Sequence, residues 1–320
     1  MLTLAYVPSD SLTPPLLIPA EGVSLAADVF GQRSDPPVVL LHGGGQTRHS
    51  WRRTARRLAD HGWYALSVDL RGHGDSGWSP DGDYSLDRFV ADVPAVRRIL
   101  DQPPVLVGAS LGGLSALGAL GLDPDVGSSL VLVDVSPFLQ PKGAGRINAF
   151  MRAAPEGFAS LEEAADAVAA YLPHRKRPKD VSGLRKNLRL TDGRWFWHWD
   201  PALIFPPGGR KASRRFDEAG VARMSRVAAD LRLPTLLVRG GQSDVLSRED
   251  ALRFLELVPH ADYCDVAGAH HMVTGDDNAV FDERILDFLQ HRVRPRLELA
   301  ADLAVAPAQR PAGDITAESA

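Results

Sequence analysis

Val105-Leu106-Val107-Gly108-Ala109-Ser110-Leu111-Gly112-Gly113 is the stretch on which the fold turns. An apolar run, Pro104–Val107, leads into a Gly-x-Ser-x-Gly pattern, and a helix-compatible run opens at Leu114. A serine held in a strained strand-to-helix turn needs small neighbours, because only they let the flanking backbone approach it. Its hydroxyl then projects over a sheet edge at a helix N-terminus, where a developing oxyanion is stabilised. Ser110 is therefore the candidate nucleophile, and the N–H of Leu111 is a candidate oxyanion donor.

Working outward, Val38–Leu41, Tyr64–Val68, Leu130–Val133 and Thr235–Val238 are further short apolar runs, mostly rich in β-branched residues. They lie between amphipathic stretches, as buried parallel strands do. Val23–Phe30 alternates more loosely and suits an early antiparallel strand. Phe89, Val93, Val96 and Leu100 recur with a helical period, as do Phe281, Ile285, Phe288 and Leu289. Pro94 predicts a kink or a late start in the first of these helices. The alternation predicts the α/β class, with a doubly wound, mostly parallel sheet.

The alternation stops at Pro137. From Phe138 to Arg215 the sequence is helical, basic and aromatic. It carries a capping box at Ser160–Glu163, a basic run from His174 to Arg177, and the cluster Trp195-Phe196-Trp197-His198-Trp199. This predicts a helical cap over residues 138–215, inserted into a core formed by 1–137 and 216–292. Trp195, Trp197 and Trp199 are expected to help build a substrate wall. Residues 293–320, rich in Ala and Pro and without aromatics, are expected to form a loosely docked tail.

A nucleophilic serine needs a base and an orienting acid, which in this topology follow it as acid and then histidine. Asp244 follows the run Thr235–Val238, and His271 follows the strand-like Tyr263–Val266. Both are placed at the carboxyl edge, where sites of parallel sheets assemble. Asp244 is the expected acid and His271 the expected base. Leu41-His42-Gly43-Gly44-Gly45, also after a strand, offers the N–H of Gly44 as second oxyanion donor.

Composition narrows the partners. With 44% hydrophobic and 24% charged residues the chain is globular, and a net charge of −4 speaks against a dedicated nucleic-acid binder. The single cysteine, Cys264, excludes an internal disulfide and a cysteine-based zinc site. The start MLTLAYVPSD has no basic region of the secretory kind, so a cytoplasmic enzyme is expected. Gln102–Leu122 is uncharged for 21 residues but opens with two prolines and holds five glycines, which disfavours a membrane span. No cofactor and no metal are expected.

Taken together, His42-Gly43 with Trp51 nine residues after His42, Asp69-Leu70-Arg71-Gly72-His73-Gly74-Asp75-Ser76, the serine elbow, and the Asp244 and His271 loops resemble the α/β-hydrolase fold superfamily in its capped branch. The likeness covers about residues 23–137 and 232–292. It is similar to small bacterial carboxylesterases, lactonases, C–C bond hydrolases and cofactor-free haloperoxidases. Some capped relatives keep their acid where Asp134 stands, at the end of Leu130–Val133, and the resemblance makes Asp134 the second choice of acid. The doubled His270-His271 departs from the usual Gly-His, and the His-Met-Val alignment favours His271 as base. The resemblance implies hydrolysis of a small ester or lactone through an acyl-enzyme. C–C hydrolysis and perhydrolysis use the same triad, and a ligand receptor that kept the triad is the rival of another class.

Overall fold

A computed structural model describes residues 14–207, 218–271 and 279–305 of the 320-residue chain. Among the described residues, eight strands form one sheet: β1 (Leu16–Ala20), β2 (Val23–Phe30), β3 (Pro37–Leu41), β4 (Tyr64–Val68), β5 (Val105–Ala109), β6 (Ser129–Val133), β9 (Thr235–Gly240) and β10 (Asp262–Val266). They lie in the order β1-β2-β4-β3-β5-β6-β9-β10. β2 pairs antiparallel with β1 and β4, and every pairing from β4 onward is parallel. The expected apolar runs are these strands, so the doubly wound α/β reading holds.

Both faces of the sheet are covered, and alternate residues of each strand serve different layers. Val39, Leu41, Leu106, Leu130, Leu132 and Leu237 join one apolar layer with α2 (Leu86–Arg97) and α3 (Leu111–Leu122). Val38, Leu40, Val105, Val107, Val131, Val133 and Val238 join the other with α1 (Arg52–Ala59) and α8 (Ala279–Phe288). α3 is buried from Leu111 to Leu120, because α2 and α6 (Glu218–Asp230) cover what the sheet does not. Pro94 sits inside α2, which runs through it from Leu86 to Arg97.

Between β6 and β9 the chain forms α4 (Pro141–Arg152), α5 (Leu161–Tyr171), and a hairpin of β7 (Leu188–Thr191) with β8 (Arg194–Trp197). The insertion expected as a helical cap thus carries a two-stranded hairpin beside its helices. The two-residue turn Asp192-Gly193 has φ of 50° and 77°, the left-handed pair that joins twisted strands. Residues 208–215 of the expected insertion lie outside the described residues. α7 (Arg248–Leu257) precedes β10. After α8 a π-helical turn, Leu289–Val293, leads into α9 (Arg294–Val305). Part of the expected loose tail is thus helical. It is tied down at its start, where Arg294 hydrogen-bonds the carbonyls of His61 and Gly62 and lies over the Trp63 ring.

Buried polar groups pin the loops at the carboxyl edge of β3 and β4. Asp69, fully buried, accepts the N–H of Arg48 at 2.6 Å and of Asp75 at 2.9 Å, and pairs with the Arg48 guanidinium. Arg71 forks onto Asp92 at 2.7 and 2.6 Å. The Nδ1–H of His42 donates to the Gly43 carbonyl at 2.8 Å, and its Nε2 accepts from Leu70 N–H at 3.0 Å. Burial pushes the His42 pKa down to about 4.

Two stability outcomes follow. Leu106→Ala, in the central strand, should cost about 2–5 kcal/mol by urea unfolding, whereas Leu299→Ala on the exposed face of α9 should change stability by less than about 0.5 kcal/mol. The unfolded chain protonates this histidine near its ordinary value of 6.5 and the folded chain only at about 4. Protons in that window therefore favour the unfolded state, and the His42 contribution, complete above the upper value, is lost as pH falls toward the lower one. Unfolding free energies measured across that range should decline toward acid, and less steeply in His42→Asn. An equal slope in the variant would remove His42 as the cause.

Candidate active site

Ser110 follows β5 with φ 47° and ψ −114°, a conformation that costs a non-glycine residue about 1–3 kcal/mol. Three backbone bonds hold it there. Its N–H reaches Val133 O at 3.2 Å, its carbonyl accepts Leu114 N–H at 3.0 Å to start α3, and Gly112 N–H ties the turn to His42 O at 3.2 Å. The glycines are required by contact. A Cβ on Gly108 would lie 2.5 Å from Gly113 Cα, and one on Gly112 would lie 2.4 Å from Leu41 O.

The loop after β3 faces the elbow. The carbonyl of the Gly43–Gly44 peptide is held by His42 and by Gln46 N–H at 3.1 Å. A trans peptide points its N–H opposite to its carbonyl. The Gly44 N–H is thereby turned away from those two partners. Gly43 N–H is occupied by Gln46 Oε1 at 2.9 Å and Gly45 N–H by His73 Nε2 at 3.2 Å. Gly44 N–H and Leu111 N–H, the two expected oxyanion donors, have no hydrogen-bond partner among the described residues.

The structure brings His271 to Asp134, not to Asp244. His271 Nδ1–H donates to Asp134 Oδ2 at 2.6 Å. Asp134, fully buried at φ 51°, also accepts Gly240 N–H at 2.8 Å and the Ser243 hydroxyl at 2.5 Å. The loop expected to present Asp244 presents Ser243 instead. Asp244 turns to the insertion and pairs with Arg146 of α4 at 3.0 Å, with both side chains more than a third exposed. Of the doubled histidines, His271 takes the carboxylate and His270 stacks on His174, centroids 3.5 Å apart. Met272 lies outside the described residues.

Gly43, Gly44, Gly45, Ser110 and His271 line a cavity of about 40 Å³, closed from the insertion by Ile147 and Phe150 of α4 and Tyr171 of α5. Trp195, Trp197 and Trp199 are not in its lining. Trp197 and Trp199 stack 5.0 Å apart behind Phe150, and Trp195 pairs with the Phe158 backbone under the Arg185 guanidinium. Trp199 also packs beneath the Gly45 loop. Phe150 stacks on Tyr171 at 4.2 Å, so one aromatic layer faces the cavity and a second supports it. Sequence reading missed Ser243, Phe150 and Tyr171. Phe150 and Tyr171 carry no signal beyond helical phase, and Ser243 carries none that separates it from its neighbour Asp244.

No group of three or more metal-ligating side chains is found among the described residues, and no helix there is long and apolar enough to cross a membrane. The family model for the alpha/beta hydrolase fold matches residues 36–277. The esterase Rv0045c of Mycobacterium tuberculosis is 35% identical over 240 residues, 71% of this chain and 73% of its own. A 3-hydroxybutyrate-oligomer hydrolase of Cupriavidus necator is 30% identical over 80% of this chain and 89% of its own. A crystal structure of the same mycobacterial esterase superposes with a TM-score of 0.65 and 30% identity, over 88% of this chain and 93% of that one. A solved E-2-(acetamidomethylene)succinate hydrolase, 23% identical, superposes at 0.74 over 86% of this chain and 98% of its own and shares the fold. With the elbow, the eight-stranded sheet and these likenesses in agreement, the chain belongs to the α/β-hydrolase fold family and is an enzyme of that family.

Proposed function

We propose that the protein is a cofactor-free serine hydrolase that cleaves small esters or lactones through an acyl-enzyme on Ser110, with His271 as base and Asp134 as orienting acid. The observation that carries this reading is the bond from His271 Nδ1–H to Asp134, on the rim of the cavity that Ser110 lines. That bond places the second nitrogen, Nε2, as the one free to take a proton. Ser110 Oγ attacks the substrate carbonyl carbon while His271 Nε2 accepts its proton. Negative charge moves to the carbonyl oxygen, where Gly44 N–H and Leu111 N–H receive it. The tetrahedral species expels the alcohol, which leaves with the proton from His271. Water then attacks the acyl-enzyme, giving its proton to His271, and the acid departs as Ser110 recovers a hydrogen.

Asp134 suits its role because its charge is met from three sides while it keeps the imidazole in one tautomer. The insertion acts as a cap in this reading. Ile147, Phe150 and Tyr171 exclude water from the reacting carbonyl and limit the group that fits beside it. The small cavity favours a short acyl group. Likeness to an esterase and to a hydrolase of hydroxybutyrate oligomers supports an ester over a C–C bond.

Fluorophosphonate labelling followed by peptide mapping should place the adduct on Ser110, and Ser110→Ala should lose about 10³-fold or more in turnover of p-nitrophenyl acetate while staying folded. An adduct on another residue overturns the reading. Asp134→Asn should lower kcat by orders of magnitude and Asp244→Asn by less than about tenfold; the reverse order restores Asp244 as the acid. Phe150→Ala should move the preference in kcat/KM toward longer acyl chains. Trp195→Ala should lower the thermal midpoint and leave the preference in place. An unchanged preference in the Phe150 variant would place the wall elsewhere.

A further inference from the structure

The loop Gly43–Gly44–Gly45 presents a catalytic donor from a backbone that has no side chains to hold it. A Cβ added at Gly44 would touch nothing within 4 Å, so packing does not fix that residue. Glycine moves freely between backbone conformations, and a donor that wanders loses its catalytic value. The peptide on one side of Gly44 is fixed through the Gly43 carbonyl, as described above. The peptide on the other side is fixed at Gly45 N–H, and the side chain holding it is His73.

His73 is built to accept. Its ring is fully buried, and its Nδ1–H is committed to Arg71 O at 2.9 Å, which leaves the Nε2 lone pair for Gly45 N–H at 3.2 Å. Arg71 is itself locked by Asp92. The ring stands edge-on to His42 at 5.1 Å and tilted to His198 at 5.9 Å. His198, from the insertion, accepts Gly74 N–H at 2.7 Å and so braces the residue next to His73. We propose that His73 is a positioning residue for the oxyanion hole: its Nε2 holds Gly45 N–H and thereby aims the neighbouring Gly44 N–H at the reacting oxygen. This rests on the serine-hydrolase reading and adds a member to it, outside the triad, supplied by the Asp69–Ser76 loop.

The discriminating pair of substitutions is His73→Asn and His73→Gln. The asparagine amide donates to Arg71 O, as Nδ1 does, but ends short of Gly45. The glutamine carries an oxygen at about the Nε2 position. With p-nitrophenyl acetate, His73→Asn should lose about 10–100-fold in kcat with KM within about threefold. Affinity for an aryl trifluoromethyl ketone, whose serine adduct carries an oxyanion, should fall by a similar factor. His73→Gln should regain most of both. Unchanged kcat in the asparagine variant, a rise in KM alone, or equal losses in both variants that track their thermal midpoints would overturn the proposal. Should the asparagine variant not fold, exchange of the Gly45 amide in the 15N-glycine-labelled native protein decides: protection supports the bond to His73, and exchange at the rate of an exposed amide overturns it. Ser110→Ala serves as the control. Retained hydrolysis there defeats the hydrolase reading itself, whereas full activity in His73→Asn with Ser110 essential defeats only the role of His73.

Discussion

The close approach of β5, α3 and the end of β3 is the constraint from which the rest of the site follows. Gly108, Gly112 and Gly113 have no Cβ, and a carbon at any of them would fall within 2.5 Å of neighbouring heavy atoms. Their absence lets α3 begin immediately after Ser110 and lets Gly112 N–H bond His42 O. The elbow and the loop that carries Gly44 are thus one assembly. Leu111 N–H and Gly44 N–H are held on elements already in contact, and Gly44 lines the cavity together with Ser110. A methyl group at Gly112 would push the end of β3 and the loop carrying Gly44 away from the start of α3.

A second knot, centred on Asp69, sets the level of that assembly. The carboxylate binds Arg48 and Asp75 and lies against Gly74, where any Cβ would overlap it. The same loop sends His73 to Gly45 and receives Tyr84 and Asp200 nearby, where the Tyr84 hydroxyl donates to Asp200 at 2.5 Å. Asp200 N–H in turn reaches Gly72 O at 2.8 Å. The later part of the insertion is therefore welded to the loop that carries His73. The earlier part, α4 and α5, meets the core through Arg146 with Asp244, Gln140 with Asp250, and His174 on His270.

Much of this was legible in the chain. Buried parallel strands announce themselves as apolar runs, and the serine elbow is written in small residues that only a tight turn explains. The carboxylate that meets His271 was less legible for a geometric reason. Asp134 and Asp244 both follow strands at the carboxyl edge, and the choice between them depends on which side chain turns inward. Asp134 does so by adopting a left-handed φ, which Asp tolerates, while one residue of difference hands the inner place on the other loop to Ser243. The placement of the aromatic cluster was no more legible. Trp195 and Trp197 share a strand spacing, and β8 is a strand, but its rings pack against Phe158 and behind Phe150 rather than into the cavity. Asp192-Gly193 was a hairpin signal masked by the basic and aromatic composition around it. Phe150 and Tyr171 reach the cavity only because of how α4 and α5 are rotated, a tertiary fact that no local pattern encodes.

The place of Asp134 has a consequence for how the machinery comes apart. β5 and β6 are adjacent, with Ala109 in register with Val133; Ser110 N–H continues the β5–β6 ladder to Val133 O, and Asp134 N–H continues the β6–β9 ladder to Val238 O. Their separation is set by the spacing of two central strands and survives as long as the sheet does. His271 arrives from beyond β10, which among the described residues is an edge strand of the sheet. Edge elements open at lower free energy than central ones. On warming, the margin that carries His271 is therefore expected to open before the central strands that carry Ser110 and Asp134.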